Sequence, residues 1–143
     1  EDRLDLAEEF GATETVSARG EDAIEAATAL TNGGGNHVLE CVGAASSMET
    51  AVEVARDGGT VGYVGVPEGV SDATFLDTAF GKNVTIAGGI APVRAYIEDL
   101  MADVLQGTLD PSPIFTKTVD LDEVPEGYRA MDERDAIKTL VRV

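Results

Sequence analysis

The residues best placed to do chemistry are glycines at the ends of apolar runs. Val38 to Val42 runs into Gly43, Val61 to Val66 contains Gly65, and Asn83 to Ile90 carries Gly88 and Gly89. If these runs are parallel strands covered by helices, ligands bind beyond their carboxyl ends, at Cys41-Val42-Gly43 and Val64-Gly65-Val66. A glycine there permits close approach of another group. Gly43, Gly65, Gly88 and Gly89 have a plainer reading too, as residues that merely allow close packing or a bulge.

Other chemistry is sparse. Cys41 is the only cysteine, so neither an intrachain disulfide nor a cysteine zinc cluster is possible. Cys41 reads as a small core residue and His37 as a strand-end side chain, while Met48, Met101 and Met131 read as core or near-core. Glu40 suggests no chemistry of its own. Gly33-Gly34-Gly35 invites a phosphate-loop reading, but a phosphate cradle follows a strand and opens a helix. Here a helical pattern precedes the glycines and an apolar run follows, so they read as a helix stop and turn.

The elements that must position the glycines follow from periodicity. Between the first two runs, Met48, Ala51, Val52 and Ala55 share one helical face, and Gly58 and Gly59 close the helix. A strand, a long helical connection and a strand make a parallel crossover. Upstream, residues 2 to 10 form a helix stopped by Gly11, Ala12 to Ala18 a short strand, and Gly20 to Leu30 a helix with Glu21 and Asp22 in its first turn. Downstream, Glu68 to Asp72 is a polar loop and Thr74 to Phe80 a short helix. Pro92 opens a helix to Gln106, with Ile97, Leu100, Met101, Val104 and Leu105 facing inward. Phe115 to Leu121 alternates as a strand, Asp122 to Asp132 is helical, and Ala136 to Val143 is a last strand. A chain opening on Glu1 directly in a helical pattern implies sequence upstream of it.

Composition narrows the class. A chain of 143 residues is long enough for one core, and without Trp that core must be mostly Val, Leu, Ile and Ala. The 27 Asp and Glu against 10 Lys and Arg give a formal net charge of −17, which repels phosphate backbones and anionic lipid surfaces. Nucleic acid and membranes are therefore not expected partners. An acidic surface whose only lysines are Lys82, Lys117 and Lys138 suits a protein of a salt-rich cytoplasm, where concentrated ions screen self-repulsion. A merely acidic protein is the alternative.

The segments F-G-A-T at 10 to 13, E-C-V-G at 40 to 43, D-G-G-T-V-G-Y-V-G-V-P at 57 to 67, N-V-T-I-A-G-G at 83 to 89 and the closing R-D-A-I-K-T-L-V resemble, in order and spacing, the cofactor domain of the zinc-dependent alcohol dehydrogenases of the medium-chain dehydrogenase/reductase family. The resemblance covers essentially the whole chain. It implies an α/β fold, an incomplete Rossmann-like doubly wound parallel sheet of order 3-2-1-4-5-6 lacking its first two strands. Residues 13 to 18 would be strand three, left without a sheet neighbour. Residues 1 to 143 would be a partial NAD(P)-binding domain whose C-terminal tail returns toward an absent catalytic domain.

The resemblance also implies the site. Val42 and Gly43 would flank the nicotinamide ribose, Val64, Gly65 and Val66 would meet the nicotinamide carboxamide, and the segment Thr85 to Gly88, with Ala87, would complete that contact. Lys138 falls where the family often has an arginine reaching the pyrophosphate, and lysine supplies charge without the bidentate fork. The cofactor would be NAD or NADP and the substrate an alcohol or aldehyde. Zinc would lie only in the missing domain, and a homodimer or tetramer would form through strand 83–90. No catalytic residue is assigned in this chain, which alone would be inactive. A zinc-free quinone oxidoreductase of the same superfamily and a non-catalytic nucleotide- or partner-binding module are the alternatives.

Overall fold

The computed structural model describes residues 2–67 and 73–143. In chain order the elements are α1 (Asp2–Glu9), α2 (Glu21–Leu30), β1 (Gly35–Glu40), α3 (Ala45–Val54), β2 (Ala55–Tyr63), α4 (Phe75–Gly81), β3 (Thr85–Gly88), α5 (Val93–Gln106), β4 (Phe115–Asp120), α6 (Val124–Asp132) and β5 (Lys138–Arg142). The polar loop predicted at 68–72 lies outside the described residues. The chain divides into two compact units, one of residues 14–92 and one of residues 2–13 with 93–143.

In the first unit β1, β2 and β3 form a parallel sheet in that order. Glu40 pairs with Tyr63 and Tyr63 with Gly88, so the carboxyl ends of all three strands stop level. This is the strand four, five and six arrangement that the resemblance implies. Helix α3 covers the sheet with the predicted residues Met48, Ala51 and Val52, all buried. Val52 and Val61 are fully enclosed, and Val38, Phe75, Val84 and Ile86 pack around them. The glycine turn at 33–35 behaves as a helix stop: α2 ends at Leu30 and Gly33 and Gly34 take φ of 99° and 108°.

Three local expectations change. Ala55 is not on the helix but is the first residue of β2, with extended φ and ψ of −65° and 138°. Gly58 and Gly59 therefore do not close α3; they lie within β2, at the irregularity between the pairs Gly35–Ala55 and His37–Thr60. Lys82 terminates the helix instead, its ammonium donating to the carbonyls of Val52 (3.2 Å) and Glu53 (2.6 Å). A basic group at a helix C-terminus satisfies carbonyls that have no intrahelical partner. The strand expected at 12–18 does not form; that these residues join no sheet among the described residues agrees with the outer-strand reading, whose pairing partner would be strand two. The second apolar run stops as a strand at Tyr63, short of Val66.

The second unit holds a two-stranded parallel sheet, β4 and β5, joined by α6. Val119, Ala130 and Ala136 are its buried apolar residues. Gly127 is buried on α6 where a Cβ would stand 2.7 Å from Thr139 Cγ2, so glycine permits helix and strand to touch. The predicted inward face of α5 is not inward. Ile97, Leu100, Met101, Val104 and Leu105 are 40 to 79% exposed, and the helix has no buried residue. A 3.6-residue apolar period marks a face made to be covered; whether the chain supplies the cover is not written in the period. Met101 is accordingly not a core residue.

Candidate functional site at the strand ends

The level ends of β1, β2 and β3 bring together two of the sequence-predicted segments and set the third beside them. Val64 N–H donates to the Glu40 carbonyl (2.9 Å) and Gly89 N–H to the Tyr63 carbonyl (3.1 Å), carrying the ladder one step past the strands. Beyond this the turns after β1 and β2 press backbone against backbone. A Cβ on Gly43 would stand 2.1 Å from the Val66 carbonyl oxygen, and one on Gly65 2.2 Å from the Gly43 nitrogen. A Cβ on Gly88 would stand 2.0 Å from the Tyr63 carbonyl oxygen. The packing reading of these three glycines thus accounts for them fully: the space a side chain would need is filled by neighbouring backbone, not left open to a ring.

The apolar side chains around these turns face outward. Val42, Val64 and Val66 are 72, 51 and 69% exposed, and Thr85, Ala87 and Gly88 on β3 are exposed as well. Together they form an exposed valine-lined rim at the carboxyl edge of the parallel sheet. Its backbone donors are already engaged: Val42, Gly43, Val64 and Gly89 each give their N–H within the protein. Lys138 belongs to the other unit, exposed at the start of β5. Cys41, expected in the core, is exposed, because β1 ends at Glu40 and Cys41 falls just past it. His37 is exposed on β1.

Glu40 is the residue that sequence reasoning left without a role. It is 4% exposed, and its Oε1 accepts three hydrogen bonds of 2.7 Å, from Val42 N–H, Gly43 N–H and the Ser47 hydroxyl. Ser47 Oγ in turn accepts from Ala44 N–H (3.1 Å) at the start of α3. Burial works to raise the Glu40 pKa, but the Ser47 hydroxyl and the Gly43 and Val42 N–H groups together hold it below the ordinary glutamate range. The second oxygen, Oε2, is buried without a hydrogen-bond partner among the described residues. A Cβ on Gly65 would come within 2.6 Å of it. The signal in the sequence was a carboxylate inside an apolar strand, a place where charge is rare unless bonded.

An open groove of about 970 Å³ lies along the outer edge of β1, lined by residues that include Val16, Ile24, Ala27, Leu39 and Val42. Leu39 is 79% exposed there. Among the described residues no strand pairs with that edge. Among the described residues there is no group of three or more His, Cys, Asp or Glu placed to hold a metal ion.

Alternation of strand and helix into a parallel sheet, with the candidate site at its carboxyl edge, defines a protein of the dinucleotide-fold class. Comparison makes this specific. The profile of the family described as zinc-binding dehydrogenase matches residues 1–106. A probable zinc-binding alcohol dehydrogenase of Mycobacterium tuberculosis is 35% identical over 127 residues, 88% of this chain and 32% of that protein. The alcohol dehydrogenase TADH from Thermus sp. ATN1 superposes with a TM-score of 0.88 at 33% identity, over 99% of this chain and 41% of that one. A solved NAD-dependent alcohol dehydrogenase superposes with a TM-score of 0.83 at 25% identity, over 99% of this chain and 41% of its own. The chain belongs to the zinc-binding dehydrogenase family, within its C-terminal part, and spans about a third of the length of that mycobacterial relative.

Proposed function

We propose that the chain forms the nicotinamide-facing half of the cofactor domain of an NAD- or NADP-dependent, zinc-type alcohol dehydrogenase. The observation that carries this reading is the convergence of Val42-Gly43 and Gly65-Val66 at the level ends of three parallel strands, beside an exposed valine rim. Val42, Val64 and Val66 would flank the ring, the backbone at Gly43 and Gly65 would fix the floor beneath it, and Thr85, Ala87 and Gly88 would close one side. When bound, the cofactor supplies a hydride acceptor or donor at nicotinamide C4. The chain's own contribution is orientation of the ring and exclusion of water from one face by the valines.

The substrate is an alcohol or aldehyde, in keeping with the names of the relatives. Zinc would be held by a catalytic domain outside these residues. The open edge of β1 and its groove support the reading of a sheet lacking the neighbours that grip the rest of a dinucleotide. We further infer a homodimer or tetramer through the strand at 83–90, where Ile90 is 95% exposed, and a cytoplasmic setting. No helix among the described residues is long and apolar enough to cross a membrane.

Saturation-transfer NMR with NADH and the 143-residue chain tests the reading. Nicotinamide protons should receive saturation and adenine protons should not. Equal transfer to both ends, or transfer to adenine alone, would overturn it.

A further inference from the structure

We propose that Glu40 is a positioning residue for the nicotinamide end of this site, its carboxylate holding the backbone that the ring rests on. The inference builds on the cofactor reading above. A carboxylate placed in an apolar strand end carries a desolvation cost, and most such groups are replaced by apolar side chains or paired with a cation. Here the described ion pairs lie elsewhere, at Lys117–Glu126 and Arg129–Glu126, and Glu40 is balanced by oriented donors alone. Its Oε1 ties three points that belong to different parts of the turn: Val42 and Gly43 just past β1, and Ser47 on α3. Its Oε2 lies against Gly65 in the turn after β2.

One side chain therefore touches both segments whose valines form the rim. The N–H groups of Val42 and Gly43 converge on one oxygen, and that fixes the orientation of the peptide planes on either side of Val42. Charge-assisted bonds of this kind are stiffer than neutral ones. Gly43, at φ 91°, uses a conformation open to glycine among many others, and the carboxylate selects it by accepting its N–H. Aspartate would keep the charge but, one methylene shorter, could not reach all three donors. Glutamine would keep the reach and lose the charge.

The test compares wild type, Glu40→Asp, Glu40→Gln and Val52→Ala, the last a core truncation far from the turn chemistry. All are used as the full chain at a temperature where circular dichroism shows each folded. Two readouts are taken: hydrogen exchange at the Val42 and Gly43 amides, and affinity for NADH. The proposal expects Glu40→Asp to speed exchange at both amides and weaken NADH by about tenfold each, as loss of a bond to a charged group does. Glu40→Gln should fall between, and Val52→Ala should leave NADH affinity unchanged. Should Glu40→Asp not fold, Glu40→Gln carries the comparison, with slower loss but the same pattern. Wild-type binding that both Glu40 variants keep overturns the positioning role while leaving the cofactor reading intact, as do unchanged amides. Failure of wild type to contact NADH through nicotinamide overturns both.

Discussion

Replacing Gly43 by alanine probes the backbone contact at the centre of the site. An added Cβ would lie 2.1 Å from the Val66 carbonyl oxygen, where ordinary contact begins at 3.4 Å, so the two turns must part by about 1.3 Å. Overpacking of this kind costs about 1 to 3 kcal/mol. The left-handed φ of 91° adds about 1 to 2 kcal/mol for any residue with a Cβ. Gly33→Ala separates the two, since Gly33 has φ 99° with nothing within 4 Å of its added Cβ. Both variants bear the conformational cost, and Gly43→Ala alone bears the collision. Urea melts followed by far-UV circular dichroism, chosen because the chain has no Trp, should place the Gly43→Ala midpoint lower than that of Gly33→Ala. With a slope of about 2 kcal/mol per molar urea, the gap is about 0.5 to 1.5 M. Equal midpoints would refute the contact between the turns.

Four further outcomes follow, three from the same geometry and one from the chain's charge. Lys82→Met should lower stability by about 1 to 2 kcal/mol and speed amide exchange at the end of α3, because two helix-end carbonyls lose their donor. By contrast Lys117→Ala, which breaks a half-exposed pair with Glu126, should cost no more than about 1 kcal/mol and nothing measurable in concentrated salt. The folded-state pKa of Glu40 is depressed, so its contribution is complete above the unfolded value of about 4.3 and is lost as pH falls through the lower folded value. The stability difference between wild type and Glu40→Gln should therefore be flat from pH 6 to 8 and shrink in acid; a difference that grows in acid would contradict the assignment. With a net charge of −17, thermal stability should rise with KCl into the molar range, and a flat response would argue for an ordinary acidic protein.

The sheet was legible in the sequence because its strands are apolar and its glycines punctuate them: Val38 and Val61 mark β1 and β2, and Gly33 to Gly35 mark the turn before them. Boundaries were less legible. Ala55 fits the α3 face by spacing, yet Lys82, distant in sequence, ends the helix before it, and no local pattern announces a donor arriving from 30 residues away. The α5 face shows the other limit, since periodicity encodes a need for cover without naming its source. At the site, the sequence marks the glycines and leaves two reasons open for them; at Gly43, Gly65 and Gly88 the close packing of neighbouring backbone is the one realised. Glu40 is not marked by the sequence as a site residue, because its partners, two amides and a hydroxyl, are created by the turn it closes.

The central claim is that the ends of β1, β2 and β3 form one surface for nicotinamide. Amide chemical-shift mapping of the full chain during titration with NADH tests it most directly. The account predicts shifts concentrated at Val42, Gly43, Val64, Gly65, Val66 and Thr85 to Gly88. Shifts confined to the groove residues Val16, Ile24 and Ala27, or spread without focus, would contradict it.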